Sequence, residues 1–183
     1  MARLILINGM PGVGKSTLAR RFAADHPGTL VCDIDVLRTF VSGWRDDFAT
    51  AGARIRPAAL GLIRGYLSES GDVVLPQLFA RVSELQRFER AAYDAGAEFG
   101  EVMLEAAEDD AVLRFHRRDD GTDPWHPIVR EIVAESGGDE HLRAYASKLA
   151  DLMSQRPTTK VVPSVAGDLE ATYESLHAAL GGC

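Results

Sequence analysis

Cysteine and lysine are both scarce in this chain. Its two cysteines, Cys32 inside an apolar run and Cys183 at the last position, have the spacing of neither a disulfide framework nor a zinc site, so both are expected as reduced thiols. There is no apolar run of membrane-spanning length and no leader of charged, apolar and small residues. The chain therefore reads as soluble and cytoplasmic, with no membrane partner. Positive charge is also in deficit: 20 Lys and Arg against 27 Asp and Glu leave a net charge of -7. That balance stands against a broad basic surface for duplex nucleic acid, although a basic cleft is still allowed. Only Lys15, Lys148 and Lys160 are lysine. The other basic residues are arginine, which suits planar, bidentate phosphate contacts, though genomic bias also produces such an excess.

What is present begins with 183 residues of which 46% are hydrophobic, enough for one globular domain, 1–183, burying roughly 70% of its unfolded surface. No repeat, low-complexity tract or long linker divides it. Short strand-like stretches alternate with longer helical ones, which predicts an α/β fold with a largely parallel sheet. Strands are expected at 3–8, 29–33, 72–75, 99–105 and 160–163. Helices are expected at about 15–25, 80–95, 106–118, 127–135, 139–155 and 168–180, the last capped by Asp168. Between 36 and 70 the sequence is helical or irregular, with Gly43, Gly52 and Pro57 as expected breaks. Asp119 to Pro124 reads as an exposed turn.

One stretch carries strong chemical information. Gly9-Met10-Pro11-Gly12-Val13-Gly14-Lys15-Ser16-Thr17 follows the apolar run Leu4 to Asn8 and opens a helical pattern, which is the context a phosphate-binding P-loop requires. Gly9, Gly12 and Gly14 permit positive φ, so that successive N–H groups turn toward an anion at the head of the helix. Lys15 supplies a point charge for the β- and γ-phosphates, Ser16 the hydroxyl for Mg²⁺, and Thr17 a further phosphate hydrogen bond. A Gly-rich turn without function would not explain Lys-Ser at the start of the helix.

The second feature is Asp33-Ile34-Asp35, at the carboxyl end of the strand expected beside the P-loop strand, where open α/β sheets bind ligands. Strand alternation would point both carboxylates the same way. One could hold Mg²⁺ and the other take the proton of an acceptor hydroxyl, as phosphoryl transfer to an alcohol needs. Asp35 is assigned as base and Asp33 to the metal shell. The residues alone also allow the reverse order, or a plain helix cap and turn before Val36-Leu37-Arg38.

Gly9 through Arg20, then His26-Pro27-Gly28, then Asp33 through Arg38 resembles the small P-loop kinases, a group with polynucleotide kinases, shikimate and gluconate kinases, chloramphenicol phosphotransferase and zeta-type toxins. The likeness is specific over about the first 40 residues and architectural thereafter. It implies a three-layer P-loop NTPase fold with a five-stranded parallel sheet of order 2-3-1-4-5, ATP with Mg²⁺, and a hydroxyl acceptor activated by Asp35. It also implies an acceptor lid at about 36–70, an ATP lid at about 109–138, and a substrate contact from Arg38. Val73-Val74-Leu75 leads into Pro76-Gln77, with no Walker B aspartate, which leaves Ser16 and Asp33 for the metal. The glycine-rich turn of shikimate kinase is absent as well, which makes shikimate a poor acceptor. Gln77 at that strand end is placed to bind substrate or to tie down a loop.

The third feature is Arg114-Phe115-His116-Arg117-Arg118, which resembles the ATP-closing lid of small kinases. On a continuous helix Arg114, Arg117 and Arg118 share a face, with Arg114 and Arg118 expected on the nucleotide and Arg117 nearest the transferring group. The alternative is a solvated face paired with Glu108, Asp109 and Asp110. Weaker candidates are Arg81, Arg87 and Arg90, which could also pair with Glu84 and Glu89; Trp44, Phe48 and Tyr66 as an aromatic acceptor wall; and Arg156 and Ser164 to Gly167 beside the adenine by family analogy. His116, His126 and His141 have no metal spacing, and Trp125-His126-Pro127 reads as a loop anchor. The sum is an ATP-dependent phosphotransferase acting on a hydroxyl of a small molecule. The rivals are a kinase for a nucleic-acid 5'-hydroxyl or a nucleotide sugar, and a nucleotide-driven switch or ATPase.

Overall fold

A computed structural model describes residues 1–118 and 123–181. Five parallel strands form one sheet in the order β2-β3-β1-β4-β5: β1 Arg3–Gly9, β2 Leu30–Val31, β3 Val73–Pro76, β4 Glu98–Glu105 and β5 Lys160–Pro163. This is the expected order. Leu4 to Ile7 are buried without alternation, because parallel strands are covered on both faces and need apolar side chains on each. β1 aligns Leu4 to Ile7 with Val73 to Pro76 of β3 and Arg3 to Gly9 with Glu98 to Leu104 of β4, so the carboxyl ends of β1, β3 and β4 reach one edge together. Asn8, fully buried there, bonds Gly9 N, Phe79 N and Phe79 O at 2.8–3.0 Å. It thereby fixes the start of the P-loop against the segment after β3.

Helix α1 is Lys15–Asp25, α2 Ile34–Arg38, α3 Phe48–Ser68, α4 Val82–Asp94, α5 Glu108–His116, α6 His126–Glu135, α7 Asp139–Gln155 and α8 Leu169–Leu180. Asp168 caps α8 as expected, accepting from Ala171 N at 2.9 Å. Gly43 does lie in a turn, between α2 and α3, with φ +75°, but Gly52 and Pro57 do not break the chain: α3 runs through both. Pro57 frees the carbonyl of Ala53, and both residues are exposed, so water can take that carbonyl's hydrogen bond. Gly52 is there for space, since a Cβ would sit 2.8 Å from Arg38 Nη2. The later turns of α3 bury Ala59, Ile63 and Leu67 in the main core. Of the expected turn Asp119 to Pro124, residues 119–122 lie outside the described residues, as does Cys183. Cys32 is buried with a free thiol, pushed up to about 12 by burial and then by the charge of Asp33.

Candidate active site

All three P-loop glycines have positive φ, +145° at Gly9, +91° at Gly12 and +95° at Gly14, but the space around them differs. A Cβ on Gly12 would lie 2.0 Å from the carbonyl oxygen of Ala111 in α5, whereas one on Gly14 would meet nothing within 4 Å. Glycine at 12 therefore serves close packing as well as the turn, and at 14 the turn alone. The loop delivers Lys15 into a buried position, where Nζ donates to the carbonyls of Gly9 and Met10 at 2.8 Å each. Burial, then the positive charge of Arg118, lowers its pKa to about 7 against the partial support of Asp35 and Asp33.

Asp33 does two jobs. Its Oδ1 caps α2, accepting from Asp35 N at 3.0 Å and Val36 N at 3.4 Å, while Oδ2 accepts the Ser16 hydroxyl at 2.9 Å. Burial, then the neighbouring Asp35 charge, raises its pKa. A serine oxygen and a carboxylate oxygen in contact form a donor set suited to a hard cation that keeps its water and phosphate ligands, which is how Mg²⁺ is usually held. Among the described residues no group of three or more His, Cys, Asp or Glu side chains could hold a metal alone. The alternation argument for Asp33 and Asp35 does not apply, because β2 stops at Val31 and Asp35 lies in the first turn of α2. The cap, rather than strand alternation, puts both carboxylates near Lys15.

Asp35 pairs with Arg38 Nη1 at 3.1 Å. Arg38 is buried over the Phe48 ring, 3.7 Å from its centroid, and burial lowers its pKa against the opposing pull of Asp35. Both residues line a cleft of about 710 Å³ with Pro11, Lys15, Ser16 and Arg118. Gln77 also lines this cleft, buried with Oε1 unpartnered. On the other side of the P-loop a hollow of about 340 Å³ is lined by Gly12, Val13, Gly14, Thr17, Arg114 and the Ser164–Gly167 turn. Ser164 Oγ ties that turn to the loop, donating to Val13 O at 2.7 Å and accepting from Arg114 Nη1 at 3.0 Å. A larger cavity of about 890 Å³, between β4 and α7, is mainly apolar and includes neither aspartate.

The expected arginine face is not formed. α5 ends at His116 and Arg117 is its C-cap, so helical spacing no longer governs positions 117 and 118. Arg117 is exposed and lines neither space beside the P-loop. Arg118, not Arg117, faces Lys15 and the aspartates, and burial lowers its pKa while Asp123, Asp33 and Asp35 raise it. Arg156 is also elsewhere. It precedes β5 and pairs with Glu89 at 2.9 Å and Glu101 at 2.6 Å, at the amino edge of the sheet. Arg81 pairs with Glu84 at 3.0 Å. Of the aromatic candidates Phe48 lines the cleft, Trp44 packs in a cluster with Trp125, and Tyr66 donates to Gly28 O at 2.8 Å. Sequence reasoning missed Asn8 and the pairing of Arg118 with His126. A polar residue ending a buried apolar strand was the available signal for Asn8.

A family model described as an AAA domain matches residues 4–132. No curated protein matches the chain in sequence. In fold it is similar to a gluconokinase from Sinorhizobium meliloti 1021, with 19% identity, TM-score 0.62, and 96% of this chain and 90% of that one covered. It is similar as well to the Deinococcus radiodurans tunicamycin resistance protein, with 19% identity, TM-score 0.55, and 99% and 96% covered. At that identity the likeness carries the fold: a five-stranded parallel P-loop sheet flanked by helices.

Proposed function

The chain belongs to the AAA domain family, and from that premise we propose that it is an ATP-dependent phosphotransferase moving the γ-phosphate to a hydroxyl of a small molecule. The observation that carries the reading is the meeting of Lys15, Ser16, Asp35, Arg38 and Arg118 on one cleft, with Asp33 bonded to Ser16. A gluconokinase among the fold neighbours adds weight to a small-molecule acceptor.

In this reading the P-loop amides from Gly9 to Thr17 and Lys15 bind the polyphosphate, and the hollow by Arg114 and Ser164 takes the base. Ser16 and Asp33 would hold Mg²⁺, which neutralises phosphate charge when bound. Asp35 orients the acceptor hydroxyl and takes its proton, while Arg38 and Gln77 contact the rest of the acceptor. Arg118 takes the role first expected of Arg117, presenting a guanidinium to the transferring group. The covers are the acceptor lid, about 36–70, and the ATP lid, about 109–138, on one domain spanning 1–183. The described residues contain no helix long and apolar enough to cross a membrane, and the proposed setting is the cytoplasm.

The test is ATP consumption over a panel of hydroxylated metabolites and antibiotics, with mass-spectrometric detection of one added phosphoryl group and Lys15→Ala as blank. Acceptor-dependent ADP release with a phosphorylated product is expected. Acceptor-independent hydrolysis that survives Asp35→Asn would favour the switch reading.

A further inference from the structure

Arg118 is held by a neutral partner. Its Nη1 lies 2.7 Å from His126 Nε2, and because a guanidinium only donates, the imidazole nitrogen must accept. Nε2 therefore carries no proton, which fixes the neutral tautomer with its proton on Nδ1. His126 opens α6 in a buried position. Its ring stands edge-on to Trp125 with centroids 4.1 Å apart, and its main-chain N–H donates to the main-chain carbonyl of Asp123 at 3.1 Å. Asp123 Oδ1 accepts from Arg20 at 2.9 Å, and its Oδ2 lies 3.8 Å from His126 Nε2. Since Arg20 is on α1, the helix that Lys15 begins, contacts run from the P-loop helix through Asp123 and His126 to the guanidinium facing the loop.

We infer that His126 is a positioning residue, aiming the Arg118 guanidinium at Lys15, Asp33 and Asp35 through a bond that sets no further negative charge against it. A carboxylate in the same place would orient Arg118 as well but would neutralise it, and the pair would attract an oxyanion more weakly. The nearby carboxylate, Asp123, is bonded to Arg20 and acts on Arg118 only through space. The imidazole gives direction without opposing charge. Protonation at Nε2 would remove the acceptor, set two cations together and draw the ring toward Asp123.

The inference rests on the proposed phosphotransfer only for what Arg118 does once aimed; the aiming is measurable without turnover. In protein labelled with ¹⁵N-histidine, the His126 signals, assigned by their loss in His126→Gln, are expected to show Nδ1 protonated and Nε2 bare near neutral pH. Arg118→Met is expected to raise the pH at which that ring protonates, because it removes both the donor and a like charge. A proton on Nε2, or a midpoint indifferent to Arg118→Met, overturns the inference.

The second arm is a double-mutant cycle on ATP and Mg²⁺ binding by calorimetry. His126→Leu alone is expected to weaken binding about 10-fold, to add nothing once Arg118→Met is present, and to be rescued in His126→Gln by the amide oxygen. Fully additive losses would mean that His126 acts only through folding, and would overturn it. If wild-type protein binds no ATP, the proposed function falls, while the tautomer and the midpoint still decide this inference.

Discussion

Gly12 and Gly14 separate two effects that P-loop glycines usually combine. Gly12→Ala would have to keep φ +91° with a Cβ 2.0 Å from Ala111 O, and Gly14→Ala would keep φ +95° with no neighbour within 4 Å. Placing an L side chain in the left-handed region costs roughly 1–2 kcal/mol, and both variants bear it. Only Gly12→Ala must also push the first turn of α5 away from the loop, an overpacking penalty of roughly 1–3 kcal/mol. The expected losses are thus about 2–5 kcal/mol for Gly12→Ala and about 1–2 kcal/mol for Gly14→Ala. Because α5 leads to Arg118, Gly12→Ala should in addition weaken nucleotide binding beyond what its stability loss explains. Urea unfolding with unchanged slope, alongside calorimetric ATP titration of the folded fraction, measures both. Equal stability losses, or a Gly12→Ala variant as stable as wild type, would refute the packing argument.

Further outcomes follow from the same geometry. Arg118→Met should lower turnover by roughly 10³- to 10⁵-fold, as loss of a transition-state arginine does in related hydrolases, while Arg117→Met should change rate and stability by no more than about 0.5 kcal/mol; steady-state kinetics on the two variants checks this. The folded Lys15 pKa of about 7 lies below its ordinary 10.5, so the unfolded chain holds a proton that the folded one lacks between those values. The stability this group contributes is therefore present above the unfolded pKa and lost as pH falls through the folded one. Lys15→Met should remove this rise in stability between about pH 7 and 10.5, on the order of 4 kcal/mol at 1.36 kcal/mol per unit, read from denaturant midpoints. Gly52→Ala would bring a Cβ to 2.8 Å from Arg38 Nη2. The flexible end of Arg38 can give way, so acceptor KM should rise with little loss of stability, and a large fall in Tm would count against this view.

Much of the fold was legible because parallel strands buried on both faces are written as unbroken apolar runs, as in Leu4 to Ile7 and Val73 to Leu75. The P-loop was equally legible, since its glycines, lysine and serine sit at fixed spacing on a strand-to-helix turn. Tertiary contacts decided the rest. Gly52 reads as a helix breaker until Arg38 is seen lying against it, and Arg117 shares a face with Arg114 only if α5 continues past His116. Asp33 and Asp35 were placed together on the wrong ground: a cap on α2 aligns them, not strand alternation. The anchoring of Arg118 by His126 joins residues across the 119–122 segment, a contact that neither periodicity nor motif encodes.

In the proposed phosphotransfer Asp35 serves the acceptor hydroxyl while the P-loop serves the nucleotide. The most direct measurement compares wild type and Asp35→Asn for ATP binding and for acceptor phosphorylation in the same preparations. Near-equal ATP affinity is expected, with phosphoryl transfer reduced roughly 10²- to 10⁴-fold; transfer that continues at the wild-type rate in Asp35→Asn would rule out Asp35 as the base.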